Sequence, residues 1–255
     1  MRHMTGDPDR PPARVALATT DYLTAAYAAF GTVMAILERV KSGRGQVVDV
    51  ALYETAFSQM EPYVPAYEKL GYVPMREGPN LPSMSPNSLY PTRDCGWVLL
   101  AANSNATFAR LLALMDRMDL LDDERFATIR ARGVKENMRA LDAIIADWSR
   151  QFDAQDLEAR LREAEVPSSR VFTIADIFED PHFQARGMLT EVPHPSLGHT
   201  TQPGVVPKLS ATPGSIRASG PEIGADGVRI LRERLGWDDA AIAVARAQGA
   251  LRGPA

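Results

Sequence analysis

Asp21 is the side chain of this sequence best placed to do chemistry. It follows Thr19 and Thr20 and precedes Tyr22–Leu37, a run without a charged side chain. A carboxylate in such a place can attack an acyl group as a covalent nucleophile, which splits a difficult transfer into two easier steps. The N-terminus of a helix would keep that carboxylate ionised through its unpaired N–H groups and its dipole. The position therefore predicts acyl-transfer chemistry as one of two roles.

The second role of Asp21 is structural. An aspartate before an apolar helix most often caps the helix, because its side chain accepts a hydrogen bond from a backbone N–H of the first turn. Spacing alone favours this role, for Asp21 or for Thr20 beside it. The nucleophile stays open as the alternative.

The other reactive residue types are less well placed. His182, His194 and His199 have no cysteine or carboxylate cluster beside them, so no metal site is predicted. Cys95 is in a predicted tight turn, and no basic residue is placed to activate its thiol, so we expect it to be inert. Gly43-Arg-Gly45 precedes a predicted strand and lacks the further glycine of a dinucleotide fingerprint. No cofactor-binding residue is assigned.

The composition excludes several classes of partner. The 255 residues carry a net charge of −4, from 28 basic and 32 acidic side chains without a long run of either sign, which argues against a nucleic-acid surface. Cys95 is the sole cysteine, so a disulfide framework is impossible and a reducing, cytoplasmic location is predicted. The N-terminal residues have no apolar segment of the signal-peptide kind. Tyr22–Leu37 is shorter than the roughly 20 residues that a bilayer requires, so we expect no membrane partner.

The first predicted helix is apolar on nearly all sides. Two stripes at helical spacing follow Tyr22–Leu37, so this helix should be covered on nearly all sides. Gly43 can take a positive φ and should end it. Val47–Val50 is β-branched and predicts a short strand. A second helix should begin near Leu52 and be broken or kinked at Pro62 and Pro65.

Four segments are predicted along the chain. Residues 1–72 form part of a large domain, and 73–96, rich in Pro, Gly, Ser and Asn, form a linker with little regular structure. Residues 97–206 alternate predicted helices and strands and form a small α/β domain. Residues 207–255 return along the fold and end in a helical tail. The fold class is therefore α/β.

A series of short motifs has the order and spacing of a known family. The segments are Thr20-Asp21-Tyr-Leu-Thr-Ala-Ala-Tyr-Ala-Ala-Phe-Gly31, Ser42-Gly-Arg-Gly-Gln-Val-Val-Asp-Val50, Tyr90-Pro-Thr-Arg-Asp with Gly96-Trp97, Asp180-Pro-His-Phe-Gln-Ala-Arg-Gly-Met-Leu189, His194-Pro-Ser-Leu-Gly198, and Gln202-Pro-Gly with Ser210-Ala-Thr-Pro-Gly214. Each is weak alone, but the series covers almost the whole chain. Together they resemble the class III CoA-transferases, the family of the formyl-CoA and carnitine CoA-transferases.

The resemblance implies a catalytic role for Asp21, because the family's nucleophile occupies this position. In such enzymes the aspartate attacks an acyl-CoA thioester to give an anhydride, an aspartyl-CoA thioester follows, and an acceptor carboxylic acid then takes the CoA. No cofactor is held permanently, since the CoA thioester is a substrate. The family's fold is a Rossmann-like large domain with a smaller α/β domain, in an interlocked homodimer.

The chain departs from the family pattern before Asp21. The family's first strands and most of its CoA-binding residues belong to an upstream portion that this sequence does not contain, so only Asp21 is carried over. The chain would then depend on a separate N-terminal half or be inactive alone. Two alternatives stay open: an α-methylacyl-CoA racemase of the same superfamily, and a non-catalytic fragment or subunit. The racemase would need an upstream histidine, and racemases tend to have glycines where this chain has Tyr22-Leu23-Thr24.

Overall fold

The computed structural model describes residues 1–251. Contacts between Cα atoms group the chain into two compact units, the first Met1–Val171 and the second from Phe172 onward. Both contain helices and antiparallel strands, which confirms the mixed α/β class. The domain boundaries predicted at 72, 96 and 206 stay a prediction.

The first unit opens with a long helix, α1 (Thr19–Ser42), which follows a single 3-10 turn at Arg2–Met4. Gly43 ends α1 as predicted, with a φ of 73° and its N–H donating to the Arg39 carbonyl at 2.9 Å. No residue of α1 is buried within the described chain. Our expectation that this helix would be covered on nearly all sides is therefore wrong for this chain by itself. By length and composition α1 could also cross a membrane, a property that it shares with core helices.

The predicted strand at Val47–Val50 does not form. A strand needs a neighbour to accept and donate its ladder hydrogen bonds, and no described segment pairs with these residues. They run instead beside α1, where Gly31 leaves room for the Val48 side chain: a Cβ on Gly31 would lie 3.0 Å from Val48 Cγ1. The second predicted helix is two helices, α2 (Leu52–Ser58) and α3 (Tyr63–Leu70).

The break between α2 and α3 falls at the first of the two predicted prolines, whereas Pro65 lies in the first turn of α3 and does not break it. Pro62 is the N-cap residue of α3, a place where its missing N–H costs nothing. α2 packs against α1, and Gln59 beyond its end donates to the Tyr27 hydroxyl at 3.1 Å. These contacts hold α1 on one side only.

A three-stranded antiparallel sheet forms the centre of the first unit. Its strands are β1 (Asn87–Pro91), β2 (Trp97–Ala101) and β3 (Ser168–Arg170), in that spatial order, with Leu89 opposite Leu99. β1 lies inside the segment 73–96 and is its one helix or strand, so the segment has little regular structure, as expected, but is not wholly irregular. The Asn, Ser and Pro residues that indicated a linker are accommodated in a strand next to β2.

Four helices accompany this sheet: α4 (Asn105–Leu114), α5 (Ile129–Arg132), α6 (Lys135–Ser149) and α7 (Ala154–Glu163), with a 3-10 turn at Met118–Leu121. α6 and α7 pack against its strands. Ser104 caps α4 as predicted, accepting from the Thr107 N–H at 3.1 Å. Apolar side chains of the sheet and helices interdigitate in one core. Fully buried members are Val98, Phe108, Leu111, Leu112, Phe126, Leu141, Ile145, Leu157 and Leu161.

Arg132 is a charged residue inside this unit, only 1% exposed. Its guanidinium donates to three backbone carbonyls and to the Asn105 side-chain oxygen, and it lies 4.3 Å from the centre of the Phe108 ring. No carboxylate is among these partners, so carbonyl dipoles and the ring face stabilise the buried charge. The burial lowers the pKa of Arg132.

The second unit contains two short helices, a hairpin and a helical tail: α8 (Ile174–Glu179), α9 (Pro181–Ala185), β4 (Leu189–His194), β5 (Gly198–Pro203), α10 (Gly227–Leu235) and α11 (Asp239–Ala247). β4 and β5 are antiparallel, with His194 opposite Gly198 at the turn. The predicted tail helix is two helices because Gly236 takes a φ of 65° and ends α10.

Candidate active site

The helix that carries Asp21 begins earlier than the charge-free run suggested. α1 starts at Thr19 with Ala18 as its N-cap residue, and Asp21 is the third residue of the helix. The N–H groups of Asp21 and Tyr22 both donate to the Ala18 carbonyl, at 3.0 and 3.1 Å. No side chain caps the helix, so the predicted capping role of Asp21 or Thr20 is wrong.

The Asp21 carboxylate has no partner within residues 1–251. It is exposed and accepts no hydrogen bond from a described residue. Its place in the first turn puts the carboxylate at the positive end of the α1 dipole. A carboxylate without a partner in the protein is available as a covalent nucleophile.

Asp21 also lines an open cavity of about 280 Å³. Its wall comes from α1, from the segment before it and from Ala56 of α2, and Asp21 is the single acidic residue among the lining residues. The other polar residues that line the cavity are Arg2, Arg14, Thr5, Thr19 and Thr20. The two guanidinium groups make the cavity net positive, and the three hydroxyls add hydrogen-bonding groups. This environment suits an anionic ligand.

The segment before α1 is fixed by backbone hydrogen bonds. The Ala13 N–H donates to the Thr5 carbonyl at 2.8 Å, which closes a loop beside the helix start. Arg76 holds the same segment through hydrogen bonds to the carbonyls of His3 and Asp7, both at 3.1 Å. The cavity wall is therefore built from residues that hydrogen-bond to the body of the first unit.

Sequence reasoning missed Arg2 and Arg14. Both precede the helix in a segment without helical or strand periodicity, so no pattern connected them with Asp21. The available signal was the pair Pro11-Pro12, which restricts the backbone just before Arg14. A restricted turn next to a candidate nucleophile is a reason to inspect the neighbouring charged residues.

The remaining candidates are not brought together with Asp21. Cys95 is exposed between β1 and β2 with a φ of 62°. His182, His194 and His199 belong to the second unit, where His194 Nδ1 accepts from the N–H groups of the turn that follows it. Among residues 1–251, no group of three His, Cys, Asp or Glu side chains is arranged to hold a metal ion.

The second unit has a larger cavity of about 450 Å³. Lys208 is its cationic lining residue, with Thr190 and Ser215 as hydroxyl groups. No acidic, cysteine or histidine side chain is among its lining residues. A carboxylate nucleophile is therefore present at the Asp21 cavity and not at this one.

Comparison with known proteins identifies the family of the chain. Residues 1–227 match the model of CoA-transferase family III. The chain therefore belongs to that family, which confirms the resemblance that its motifs predicted.

Several curated relatives are named CoA-transferases. The chain is 39% identical to the succinyl-CoA–D-citramalate CoA-transferase of Chloroflexus aurantiacus, over 97% of this chain and 61% of that protein. It is 36% identical to the succinyl-CoA:mesaconate CoA-transferase of Haloarcula hispanica, over 75% and 47%, and 30% identical to the succinate–glutarate CoA-transferase of Agrobacterium fabrum, over 90% and 57%. The chain thus spans about half to three-fifths of the length of these relatives.

Solved structures show the same fold. A CAIB/BAIF family protein from Brucella suis matches 91% of this chain and 59% of its own, with a TM-score of 0.74 and 28% identity. A protein from Mycobacterium tuberculosis matches with a TM-score of 0.72 over 89% of this chain and 58% of its own, at 19% identity, a likeness of fold alone.

Proposed function

We propose that this chain carries the catalytic aspartate of an acyl-CoA:carboxylate CoA-transferase. The supporting observation is that the Asp21 carboxylate is exposed and has no partner among the described residues. It lies in a cavity that Arg2 and Arg14 also line. Membership of CoA-transferase family III supports the same activity. A structural aspartate would instead be bound to backbone N–H groups of its helix.

The proposed reaction begins with attack of an Asp21 carboxylate oxygen on the thioester carbonyl carbon. A C–O bond forms, the C–S bond breaks, and CoA leaves as the thiolate with the electron pair of that bond. The thiolate then attacks the Asp21 carbonyl of the anhydride, which forms an aspartyl-CoA thioester and releases the first acid as a carboxylate. An acceptor carboxylate repeats the two steps in reverse, so Asp21 is regenerated.

The substrates we propose are dicarboxylic. The relatives named above carry succinyl-CoA or succinate together with citramalate, mesaconate or glutarate in their names. A cavity of about 280 Å³ is at the small end of ligand pockets, which run from roughly 300 Å³ upward. It suits the acyl group and not the whole of CoA, whose nucleotide end would bind elsewhere. CoA acts as a substrate, and we propose no permanently bound cofactor.

We further propose that another protein surface covers α1. Its exposed apolar side chains include Tyr22, Phe30 and Leu37, at 69%, 66% and 59% exposure. Such a face is larger than a soluble monomer usually leaves open. The covering surface is a second copy of the chain or the part of the family fold that this chain does not match, in a Rossmann-like large domain and an interlocked dimer. We place the assembly in the cytoplasm, without a membrane or nucleic-acid partner.

The test is covalent labelling of the purified protein. We expect incubation with succinyl-CoA, followed by a hydroxylamine quench, to yield a hydroxamate on the peptide that contains Asp21, detected by mass spectrometry. Asp21→Asn keeps the shape of the side chain and should abolish the product. Asp9→Asn, a change of a nearby acid that does not line the cavity, is the matched control and should label normally. Labelling that persists in Asp21→Asn, or its absence from the wild-type protein, would contradict the proposal.

A further inference from the structure

Two arginines line the Asp21 cavity, and neither is paired with a described carboxylate. Several other arginines of the first unit are held by a nearby carboxylate: Arg93 by Asp153, Arg110 by Glu165, Arg117 by Asp119, Arg125 by Asp123 and Arg150 by Asp147. Arg2 and Arg14 both line the cavity, and their guanidinium groups bind no described residue. Five donors on each guanidinium are therefore left for solvent or for a ligand.

The chemistry of the proposed substrates requires such a group. A dicarboxylic acyl-CoA keeps one free carboxylate after the other has become the thioester. When Asp21 approaches the thioester carbonyl, two negative charges meet in a small cavity, and their repulsion opposes binding. A guanidinium offsets that repulsion and matches a carboxylate with two parallel hydrogen bonds.

We propose that Arg14 binds the distal carboxylate of a dicarboxylic acyl group, with Arg2 beside it, and so determines the specificity of the site. This inference rests on the function proposed above for Asp21. The distal carboxylate fixes one end of the acyl group at the guanidinium, and the thioester carbon at its other end is presented to the Asp21 carboxylate. A monocarboxylic acyl group of the same length has nothing to bind at Arg14 and is held only by apolar contact.

Arg14 is the better placed of the two arginines. The hydrogen bond between the Ala13 N–H and the Thr5 carbonyl fixes the backbone of the residue just before it. Arg2 belongs to a single 3-10 turn, Arg2–Met4, which has no buried residue. We therefore expect Arg14 to carry most of the discrimination and Arg2 to contribute a smaller, mainly electrostatic part.

The experiment compares two thioesters that differ in one carboxylate, succinyl-CoA and butyryl-CoA. The readout is the rate of CoA release and of Asp21 labelling in a single turnover. Arg14→Gln should slow the reaction of succinyl-CoA by about tenfold to a hundredfold, the usual worth of hydrogen bonds to a charged group, and change that of butyryl-CoA less than about twofold. Arg14→Lys keeps the charge without the planar fork and should restore part of the rate.

The matched control is Arg10→Gln. Arg10 precedes Arg14 in the same segment, does not line the cavity, and is 3.8 Å from the Asp7 carboxylate with 78% of its side chain exposed. The control removes the same charge and should leave both thioesters unchanged. Equal slowing of both thioesters in Arg14→Gln, or no slowing of either, would overturn the inference.

A binding measurement separates this inference from the proposed function. Titration of the wild-type protein with free succinate and with free butyrate, followed by calorimetry, needs no reaction at Asp21. Succinate binding that Arg14→Gln abolishes would support the recognition of a dicarboxylate even where labelling fails, in which case the transferase activity alone is wrong. Labelling of Asp21 without any preference for succinyl-CoA leaves the transferase activity standing and rejects the role of Arg14.

Discussion

The Tyr90 hydroxyl donates a hydrogen bond of 2.6 Å to the Asp142 carboxylate and so joins β1 to α6. Tyr90 is only 2% exposed. Burial, followed by the charge of Asp142 and this hydrogen bond, raises the pKa of Tyr90 well above its ordinary value of 10.0. Burial also raises the pKa of Asp142, while hydrogen bonds from Tyr90 and Asn80 act in the opposite direction.

Replacement of Tyr90 should change how stability depends on alkaline pH. The raised pKa means that the folded protein keeps the Tyr90 proton at a pH where the unfolded chain has lost it, so this contribution is complete below about pH 10 and is lost as the pH rises further. Tyr90→Phe should lower the free energy of unfolding at neutral pH by about 1–3 kcal/mol and flatten the decline above pH 10. Urea unfolding at several pH values measures both. Tyr67→Phe, at a tyrosine 63% exposed, is the control, and an equal decline in both variants would reject the assignment.

Arg132 should be hard to replace, even by lysine. The planar guanidinium of Arg132 donates hydrogen bonds to four oxygen acceptors and stacks on the Phe108 ring. The ammonium group of a lysine cannot donate to all these acceptors in one plane. We expect Arg132→Lys to lower the free energy of unfolding by about 2–4 kcal/mol, from lost hydrogen bonds and carbonyls left without donors. Arg130→Lys, at an exposed position of the same helix, should cost little. A loss below about 0.5 kcal/mol in Arg132→Lys, the range of ordinary surface changes, would contradict this account.

Gly204 should tolerate no side chain. It is buried just beyond β5, and its N–H donates to the Met188 carbonyl at 2.9 Å. A Cβ at this position would overlap the Gly187 carbonyl oxygen and lie 3.2 Å from Met188 Cα, and backbone atoms cannot rotate away. Gly204→Ala should therefore lower the free energy of unfolding of the second unit by about 1–3 kcal/mol. Gly220→Ala, with nothing within 4 Å of its Cβ, is the control and should be neutral.

A charge on the exposed face of α1 should disturb assembly. Phe30 is 66% exposed within this chain, and we expect it to be covered in the working protein. Phe30→Glu should then weaken or abolish association, because a charge buried without a partner is costly. Sedimentation velocity measures the outcome, with Ile129→Glu as a control at another exposed apolar residue, 50% exposed. A wild-type protein that sediments as a monomer would exclude a second copy of the chain as the cover for α1.

Local periodicity predicted the helices of this protein better than it predicted their surroundings. The end of α1 at Gly43 and the cap of α4 at Ser104 depend on neighbouring residues alone, so the sequence contains the needed information. The strand at Val47–Val50 failed because a strand depends on a distant partner. β1 was missed because its Asn, Ser and Pro residues resemble a linker.

The sequence predicted one part of the candidate site, Asp21, and missed another, Arg14. Asp21 stands out because a long charge-free run follows it, and the sequence motifs give it a role. The start of α1 at Thr19 is not visible in that pattern, so the cap was assigned wrongly. Arg14 was missed because the cavity depends on a loop closed between Ala13 and Thr5, a contact that no periodicity reports.

Cys95 allows the number of copies of this chain in a complex to be measured. It is the one cysteine of the sequence, and it is exposed in the turn that joins β1 to β2. A maleimide dye would therefore attach once per chain, at a position outside the Asp21 cavity. The number of bleaching steps seen for a single particle then equals the number of copies it contains, which gives the stoichiometry of any complex that α1 helps to form.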